Sequence, residues 1–526
     1  MRLKKIMAGL AAMTMVLSPL SVCAQENSIV AQSADGATIY TNYSDAWDDA
    51  QNGTKIVMLA DWDLTDRLVL DKNKKAEIEM NGHKIWRYDW TYKSYTHSGK
   101  GEVIYMGAES ELILTGNTAS STSFDVTKGI KTVEQVEVVS GGLITGGSSG
   151  GNGGGIHMEK STHLTLENIA VAGNNAVYDN ANGGDGGGIN INNADSTLTL
   201  KNALIEYNYS VENGGGICVE GDNATITLDN SKIDNNQARK GGGIYSDNEG
   251  TKIELKNNST IDNNVATSNG GGIYFENTDF SVKTTDDDVT TSQNTISNNQ
   301  ADNGGGIYVE QEEVGSNSGE ISNIKFDSNT ATEEKGGALY IEQENVKVSN
   351  CTITKNVATT YGGGIYIYND GLTVQDCTIF SNTASSGGGI YVNENEDITL
   401  AGVNKIQMNG RPDHNADDIM LEKTWLHTAY IKGEIKSGSK IGIRTGTDGT
   451  TQIGKDITND PGDALYLDDG GNYHIEYKDN KLYKSDGSIL GSIFGNANLG
   501  MAVVVMAGIT VVGVVCLVVN KKKQVK

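Results

Sequence analysis

Most of the chain consists of short runs in which apolar and polar residues alternate, and these runs return at a regular interval. Each repeat opens with Gly-Gly-Gly-Ile, which begins at residues 153, 186, 214, 241, 270, 304, 362 and 387, with Gly-Gly-Ala-Leu at 336. Three runs fall within about 27 residues, and residues 304–310, 226–228 and 233–236 are examples of them. Alternation with a period of two predicts β-strands, and no helical periodicity runs through the repeats.

Three short strands cannot enclose a core by themselves, so the repeat has to stack on its own copies. Each strand then pairs with the equivalent strand one repeat away, at the usual spacing of about 4.8 Å. This arrangement predicts an all-β fold, a right-handed parallel β-helix solenoid of three-sided coils, over residues 69–410.

Two columns of asparagine support the predicted stacking. The first stands three residues after an apolar residue and comprises Asn174, Asn208, Asn236, Asn264, Asn299, Asn329, Asn356, Asn382 and Asn409. The second comprises Asn168, Asn202, Asn230, Asn257 and Asn350, with Asp376 in register. Asparagine tolerates the left-handed conformation that a sharp corner requires, and its amide can bond to the next coil. We interpret both columns as structural.

The segments that flank the repeats are expected to close the solenoid. Residues 25–68 are interpreted as an N-terminal cap, with a short helix from Asp45 to Asn52 that Ser44 caps. The inner side of that helix is expected to carry Ala46, Trp47 and Ala50. Residues 411–495 are expected to form C-terminal capping strands and a stalk, which protect the open end of the solenoid from edge pairing.

Both ends of the chain carry targeting patterns. Residues 1–24 combine basic residues, an apolar run and a small-residue cleavage site, which is typical of a signal peptide. Residues 496–520 include Leu499–Val519, a run of 21 residues without a charge, which is enough for a single C-terminal transmembrane helix. Residues 521–526 form a basic tail, which is typical of a cytoplasmic end. The sequence therefore predicts a single-pass cell-surface protein with an extracellular N-terminal bulk and a cytoplasmic C-terminus.

Charge and cysteine content narrow the choice of partners. The formal net charge of −26 argues against nucleic acid and anionic surfaces as partners, and it permits cations. Cys351 and Cys377 occupy the same position in adjacent coils. Their expected separation of about 4.8 Å allows either two buried thiols or a disulfide. The sequence leaves the oligomeric state open.

The outward positions of the first strand carry the candidate binding residues. The residue after each inward isoleucine is expected to point outward, and this column contains Tyr245, Tyr274, Tyr308, Tyr340, Tyr366 and Tyr391. Two residues further along each strand, a second outward column contains Glu220, Glu276, Glu310 and Glu342. Tyrosine faces can stack on sugar rings, and carboxylates can accept hydroxyl hydrogen bonds or hold Ca²⁺. The alternative is that the stacked tyrosines only stabilise the sheet. Because like charges in register repel, we expect lysines, Ca²⁺ or a ligand to offset the carboxylates.

The repeat motifs carry a family resemblance. Phe326-Asp-Ser-Asn329 followed by Gly336-Gly-Ala-Leu339 resembles the repeats of polymorphic outer-membrane proteins. With Met80-Asn81-Gly82-His83, the chain is similar to right-handed parallel β-helix, adhesin-like surface proteins of gut-type bacteria. The resemblance covers about residues 153–410, and it implies surface exposure and adhesion to a glycan or to a host or partner surface protein. The chain departs from the polymorphic proteins at its end, where the sequence predicts one helix and a lysine tail.

Two other functions stay open. Parallel β-helices also host polysaccharide lyases and hydrolases, so an extracellular enzyme on a pectate-lyase-like β-helix is the alternative, and a passive surface spacer is the third hypothesis. A hydrolase needs a pair of carboxylates at a fixed gap. Residues 411–418 form the densest polar cluster, and we interpret it as a capping loop. Residues 239–240 and 286–288 are interpreted as a turn and a solvated loop. The near-uniform repeats favour a binding or structural surface, and the sequence predicts no catalytic residue.

Overall fold

The structure is a computed structural model that describes most of the chain between residues 29 and 485. The described ranges are 29–87, 101–117, 120–128, 132–177, 184–286, 293–311, 317–369, 371–410, 416–422, 429–445, 451–468 and 473–485. Within these ranges no helix is long and apolar enough to cross a membrane. The predicted signal peptide (1–24), transmembrane helix (496–520) and basic tail (521–526) all lie outside the described residues.

The described chain forms a parallel β-helix, which confirms the predicted stacking. Ile244 of one coil lies beside Ile273 of the next coil, and Ile273 lies beside Ile307. Each regular coil has four strands and not three. The fourth strand contains only two residues, such as Gln237–Ala238, and it pairs with its own copies in a separate sheet. A run of two residues is too short to show alternation, so the sequence pattern did not predict it.

The strands fall into four stacks, which we call first, middle, third and fourth. First strands are Leu68–Leu70, Ile104–Met106, Ile156–Met158, Ile189–Ile191, Ile217–Val219, Ile244–Ser246, Ile273–Glu276, Ile307–Glu310, Leu339–Ile341, Ile365–Ile367, Ile390–Val392 and Ile419–Leu421. Middle strands are Ile56–Met58, Lys75–Glu79, Glu111–Thr115, His163–Glu167, Thr197–Lys201, Thr225–Asp229, Thr251–Lys256, Phe280–Thr284, Gly319–Ser322, Val346–Ser349, Leu372–Gln375, Asp397–Ala401, Tyr430–Gly433 and Thr451–Ile457. Third strands are Trp62–Leu64, Lys84–Arg87, Leu143–Thr145, Ala170–Ala172, Leu204–Glu206, Lys232–Asp234, Thr260–Asp262, Thr295–Ser297, Lys325–Asp327, Thr352–Thr354, Thr378–Phe380 and Lys405–Ile406. Fourth strands are Ser148–Ser149, Asn175–Ala176, Tyr209–Ser210, Gln237–Ala238, Val265–Ala266, Gln300–Ala301, Thr330–Ala331 and Val357–Ala358.

The main core is one continuous column inside the coils. It runs from Ala31 near the start of the described chain to Leu482 near its end. Isoleucine, leucine and valine from the first, middle and third strands supply most of it, because alternate residues of each strand point inward. Burial of about 25 cal/mol per Å² of apolar surface makes this column the main source of stability.

The first asparagine column lies at the corner between the third and fourth strands. Its nine asparagines are buried. From Asn208 onward, each side-chain Oδ1 accepts from the backbone N–H and the Nδ2 of the asparagine one coil earlier, whereas Asn174 Oδ1 accepts from the Gly147 backbone N–H. Asn264, for example, donates through its backbone nitrogen at 2.9 Å and through Nδ2 at 3.0 Å to Asn299 Oδ1. The left-handed residue is the one before each asparagine, such as Asn263 with φ +52°. The predicted amide ladder is therefore confirmed, whereas its asparagines do not themselves take the left-handed conformation.

The second asparagine column lies after the middle strand, and here the left-handed prediction is confirmed. Asn168, Asn202, Asn230, Asn257, Asn350 and Asp376 have φ between +48° and +58°. Asn230 Nδ2 also donates to Asn202 Oδ1 at 2.6 Å. The column therefore turns the chain between the middle and third strands.

A helix and two strands precede the first coils. The helix is Tyr43–Gln51, and Asn42 caps it by accepting a hydrogen bond from the Asp45 backbone nitrogen at 2.8 Å. The prediction of Ser44 as the cap was wrong, because Ser44 already lies inside the helix. Ala46, Trp47 and Ala50 are buried as predicted. The strands Ala31–Ser33 and Ile39–Tyr40 pair antiparallel.

Parallel pairing extends beyond both predicted limits of the solenoid, residues 69 and 410. Trp62–Leu64 already pairs in parallel with Lys84–Arg87. Past residue 410, Lys440–Thr445 and Leu465–Leu467 continue the parallel stacking, with the short 3₁₀ helix Gly462–Ala464 before the latter. The antiparallel strands His474–Lys478 and Lys481–Ser485 follow. A second antiparallel hairpin, Ser120–Lys128 with Thr132–Ser140, is inserted between a middle and a third strand.

Candidate functional site

The outward side of the first strands faces the turn that leads into each strand. Gly270, the first glycine of its triplet, has φ +69°, and a Cβ atom there would lie 2.8 Å from the Tyr274 Cβ. The residue before each triplet therefore stands beside the outward residues of the first strands. We call these the pre-glycine column: Asn152, Asp185, Asn213, Lys240, Asn269, Asn303, Lys335, Tyr361 and Ser386. Its members stack in register, as Asn213 does with Lys240 and Lys335 with Tyr361.

The six tyrosines of the first outward column, which we call the tyrosine row, lie outside the main core but are buried. They form their own cluster with Cys218, and their exposures are between 0% and 6%. Adjacent rings lie 4.5 to 5.6 Å apart between centroids, from Tyr245 to Tyr391. The expected open platform of ring faces is thus corrected, because the rings cover one another, and Cys218 and Met420 pack at the two ends of the row.

The second outward column, which we call the carboxylate column, consists of Glu220, Asp247, Glu276, Glu310 and Glu342. Tyrosine hydroxyls bind the last three of these carboxylates. Tyr245 Oη donates to Glu276 Oε2 at 2.7 Å, and Tyr308 Oη donates to Glu342 Oε1 at 2.8 Å. Tyr274 Oη donates to Glu310 Oε2 in the same way. Each of these three bonds joins a hydroxyl to the carboxylate of the next coil, whereas the Tyr340 hydroxyl bonds with Glu342 of its own coil. Burial raises the pKa of Tyr245 and of Tyr308, so both stay protonated as donors.

The sequence predicted that lysines, Ca²⁺ or a ligand would offset the repulsion within the carboxylate column. For Glu276 and Glu310, a lysine does so. Lys240 Nζ lies 3.0 Å from Glu276 Oε2 and 3.3 Å from Glu310 Oε2. The same ammonium lies 4.6 Å from the centroid of the Tyr274 ring. Lys335 Nζ lies over the Tyr366 ring at 5.0 Å. Among the described residues, no group of three or more His, Cys, Asp or Glu side chains is placed to hold a metal ion.

The first coils of the carboxylate column differ from the rest. Here the first outward column carries His157, Asn190 and Cys218 in place of tyrosine. Glu220 Oε2 accepts from Asn152 Nδ2 at 2.7 Å and from Asn190 Nδ2 at 2.6 Å. Burial raises the pKa of Glu220 to about 7, and the nearby carboxylates of Asp185 and Asp247 add to this shift. Burial also raises the pKa of Asp185 to about 6.

These shifts predict a pH-dependent stability. A carboxyl whose pKa is higher in the folded state than in the unfolded state stabilises the fold at low pH, and this contribution is lost as the pH rises through the folded pKa. For Glu220 the loss should fall between about pH 4.5 and 7.5. We expect Glu220→Gln to remove about 2 kcal/mol of the pH dependence of the unfolding free energy between pH 5 and 8.

The measurement is urea unfolding of the full-length protein at several pH values. Glutamine keeps an oxygen that accepts from Asn152 and Asn190, so the variant isolates the charge. Glu320→Gln, at an exposed position of a middle strand, is the control and should follow the wild-type profile. An unchanged profile for Glu220→Gln would contradict the assignment.

The other polar stretches have structural partners where they are described. Arg239 pairs with Glu212, so it is engaged outside the carboxylate column. Asp417 is buried and pairs with Arg444 at 2.9 Å, and Asp418 Oδ1 accepts from Asn409 Nδ2 at 2.9 Å. Residues 411–415 and 287–288 of the predicted loops lie outside the described residues. Cys351 and Cys377 are both free and buried.

The comparison with protein families supports the handedness of the fold. Residues 259–410 match the model of the right handed beta helix region. No curated protein matches the chain. The match spans the coils that hold most of the tyrosine row and Glu276, Glu310 and Glu342. The right-handed β-helix is the fold of this region, and the fold alone does not distinguish a surface protein from an enzyme.

Sequence reasoning missed the pre-glycine column. The sequence pattern places Lys240 in a turn, Asp185 in a glycine-rich stretch and Asn190 in the first outward column, and none of the three is predicted as a site residue. The signal was present in the repeat itself, since the residue before each glycine triplet is always at the same phase relative to the outward columns. Its importance depends on the fold of the turn, which alternation within strands does not describe.

Proposed function

We propose that the protein is a cell-surface binding protein whose right-handed β-helix serves as a rigid scaffold for contact with a glycan or a partner surface protein. The observation that carries the proposal is the carboxylate column, whose members lie in register on successive coils beside a buried tyrosine row. Glu276 and Glu310 remain 22% and 19% exposed at the side chain. A straight row of preorganised acceptors suits a ligand that extends along several coils.

The proposed mode of contact differs from stacking on tyrosine faces. The buried rings fix the carboxylates through their hydroxyls, so a ligand would meet the carboxylate edge and not the aromatic faces. Surface location and single-pass anchoring remain part of the proposal. They rest on the N-terminal and C-terminal sequence patterns and on the resemblance to polymorphic outer-membrane protein repeats.

An enzyme on a pectate-lyase-like β-helix is the second candidate. The raised pKa values of Glu220 and Asp185 favour it, because a carboxyl that holds its proton near neutral pH suits a general acid. A passive spacer is the third candidate, since a self-satisfied tyrosine row would also stiffen a rod.

The test is binding of the purified full-length protein to glycan and surface-protein arrays. We expect a saturable ligand, and we expect the double variant Glu310→Gln and Glu342→Gln to bind it at least tenfold more weakly. Glu320→Gln, on a different face of the coil, is the matched control and should bind as the wild type does. A ligand that binds both variants equally would place the contact elsewhere. Absence of any ligand would favour the spacer, and cleaved oligosaccharide detected by mass spectrometry would favour the enzyme.

A further inference from the structure

The pre-glycine column shows which chemical group fits beside the carboxylate column. Lys240 places its ammonium between two carboxylates, at 3.0 and 3.3 Å, and 4.6 Å from a tyrosine ring centroid. These carboxylates belong to the coils one and two steps further along the solenoid. A primary ammonium offers three hydrogen-bond donors, so it can serve several acceptors at once.

The same positions recur two coils earlier, with the lysine replaced by an aspartate. Asp185 occupies the pre-glycine position there, and the carboxylates one and two coils ahead of it are Glu220 and Asp247. By register, three carboxylates occupy the positions at which the later coils have two carboxylates and one ammonium. Asn213 follows Asp185 in the column and supplies no positive charge.

A second observation is that buried acceptor oxygens near this position lack a hydrogen-bond donor. Asn190 is fully buried, and its Nδ2 donates to Glu220 Oε2 at 2.6 Å. Its Oδ1 has no hydrogen-bond partner among the described residues. Asn213 Oδ1 also lacks a partner within the described part of the chain. A buried acceptor without a donor costs about 1–3 kcal/mol, so both oxygens favour a ligand that brings donors.

We propose that Asp185, Asn190 and Glu220 form a binding site for a primary alkylammonium group, supplied by a lysine side chain of a partner protein. The ammonium would take the place that Lys240 fills two coils later, with Asp247 at its edge. Lysine is favoured over other ammonium sources because the chain itself uses a lysine in the equivalent geometry. The proposal deepens the binding function and rests on it.

The experiment uses the purified full-length protein and a fluorescent Gly-Gly-Lys-Gly-Gly peptide, followed by fluorescence anisotropy. We expect the peptide with an Nε-acetylated lysine to bind at least tenfold more weakly, because acetylation removes the charge and two donors. Glu220→Gln and Asp185→Asn should each weaken the binding of the unmodified peptide at least tenfold. Glu320→Gln is the control and should leave it unchanged.

Asp185→Lys supplies an independent readout. An internal lysine at this position should occupy the site, abolish peptide binding and raise the Tm above that of the wild type. A lower Tm with retained peptide binding would overturn the proposal. Equal affinity for the acetylated and unmodified peptides would do the same.

Two further binding measurements distinguish a lysine side chain from other cations. Glucosamine that binds more tightly than the peptide, with the same dependence on Glu220, would assign the site to an amino sugar and overturn the lysine assignment. Ca²⁺ binding that depends on Glu220, without peptide binding, would replace it by a metal site. If array ligands bind the wild type and Glu220→Gln equally, the lysine site alone is overturned. If the peptide binds but no array ligand does, the result counts only against the proposed cell-surface binding function.

Discussion

Replacing Gly271 by alanine is expected to destabilise the β-helix by at least about 3 kcal/mol, whereas the same change at Gly272 should cost less than about 1.5 kcal/mol. A Cβ atom on Gly271 would lie 2.5 Å from the Gln300 backbone oxygen and 2.6 Å from the Gly305 backbone oxygen. Both atoms belong to the next coil and are held by the sheet. Neither can move without displacing hydrogen bonds that join the coils.

Gly272 is a matched control because the chain contains its own example of the substitution. Ala338 stands at the equivalent third position of its repeat and is fully buried. The second position is glycine in all nine copies. A Cβ on Gly272 also meets a backbone oxygen, Gly306 at 2.6 Å, but the coil at Ala338 shows that this contact can be accommodated.

Urea unfolding followed by circular dichroism gives the two free energies. Hydrogen exchange of the amides in the neighbouring coils reports whether the loss is local, as expected for a stack in which each repeat contacts only its neighbours. Equal destabilisation by the two variants would contradict the role assigned to the second glycine.

The architecture was predictable because several signals in the sequence agree. Inward isoleucines, glycine triplets and asparagine columns all share one phase, and each is confirmed in the described coils. The amide ladder could be predicted for the same reason, since Asn264 and Asn299 recur at equivalent positions. The conformation of the corner could not, because the left-handed residue is Asn263 in one coil and Ser328 or Lys355 in others. Tertiary stacking, and not residue preference, imposes it there.

The burial of the tyrosine row could not be predicted from alternation. Alternation with a period of two predicts on which side of a strand a residue lies. It does not predict whether another segment of the chain covers that side. The left-handed turn at Gly270 brings the pre-glycine column beside the row, and neighbouring rings cover the rest. The pairing of Lys240 with Glu310 could not be predicted either, because it joins residues that lie two coils apart.

Replacing Asn299 by alanine is expected to lower the free energy of unfolding by roughly 4 kcal/mol, which is the second large effect. Asn299 Oδ1 is the acceptor for the backbone N–H and for the Nδ2 of Asn264, and all of these groups are buried. Its own Nδ2 donates to the Ile261 carbonyl at 2.9 Å and to Asn329 Oδ1 at 3.0 Å. Each buried polar group left without a partner costs about 1–3 kcal/mol. Gln300→Ala, at the next and exposed position, should change stability by less than about 0.5 kcal/mol.

Asn299→Asp tests the direction of the ladder. An aspartate can still accept from Asn264, but its second oxygen would face Asn329 Oδ1, which is also an acceptor. The end of the ladder shows when a carboxylate is tolerated. Asp418 accepts from Asn409 through Oδ1, and its Oδ2 accepts from the Tyr466 hydroxyl at 2.7 Å.

At position 299 no such donor follows, so a protonated carboxyl is favoured in the folded state and its pKa should rise. A raised pKa gives stability at low pH that is lost as the pH rises through the folded value. Asn299→Asp should therefore approach the wild type near pH 4 and fall below it by several kcal/mol at pH 8 in urea unfolding. A variant whose deficit is the same at both pH values would show that the acceptor-to-acceptor contact does not form, and that the ladder rearranges around the new side chain.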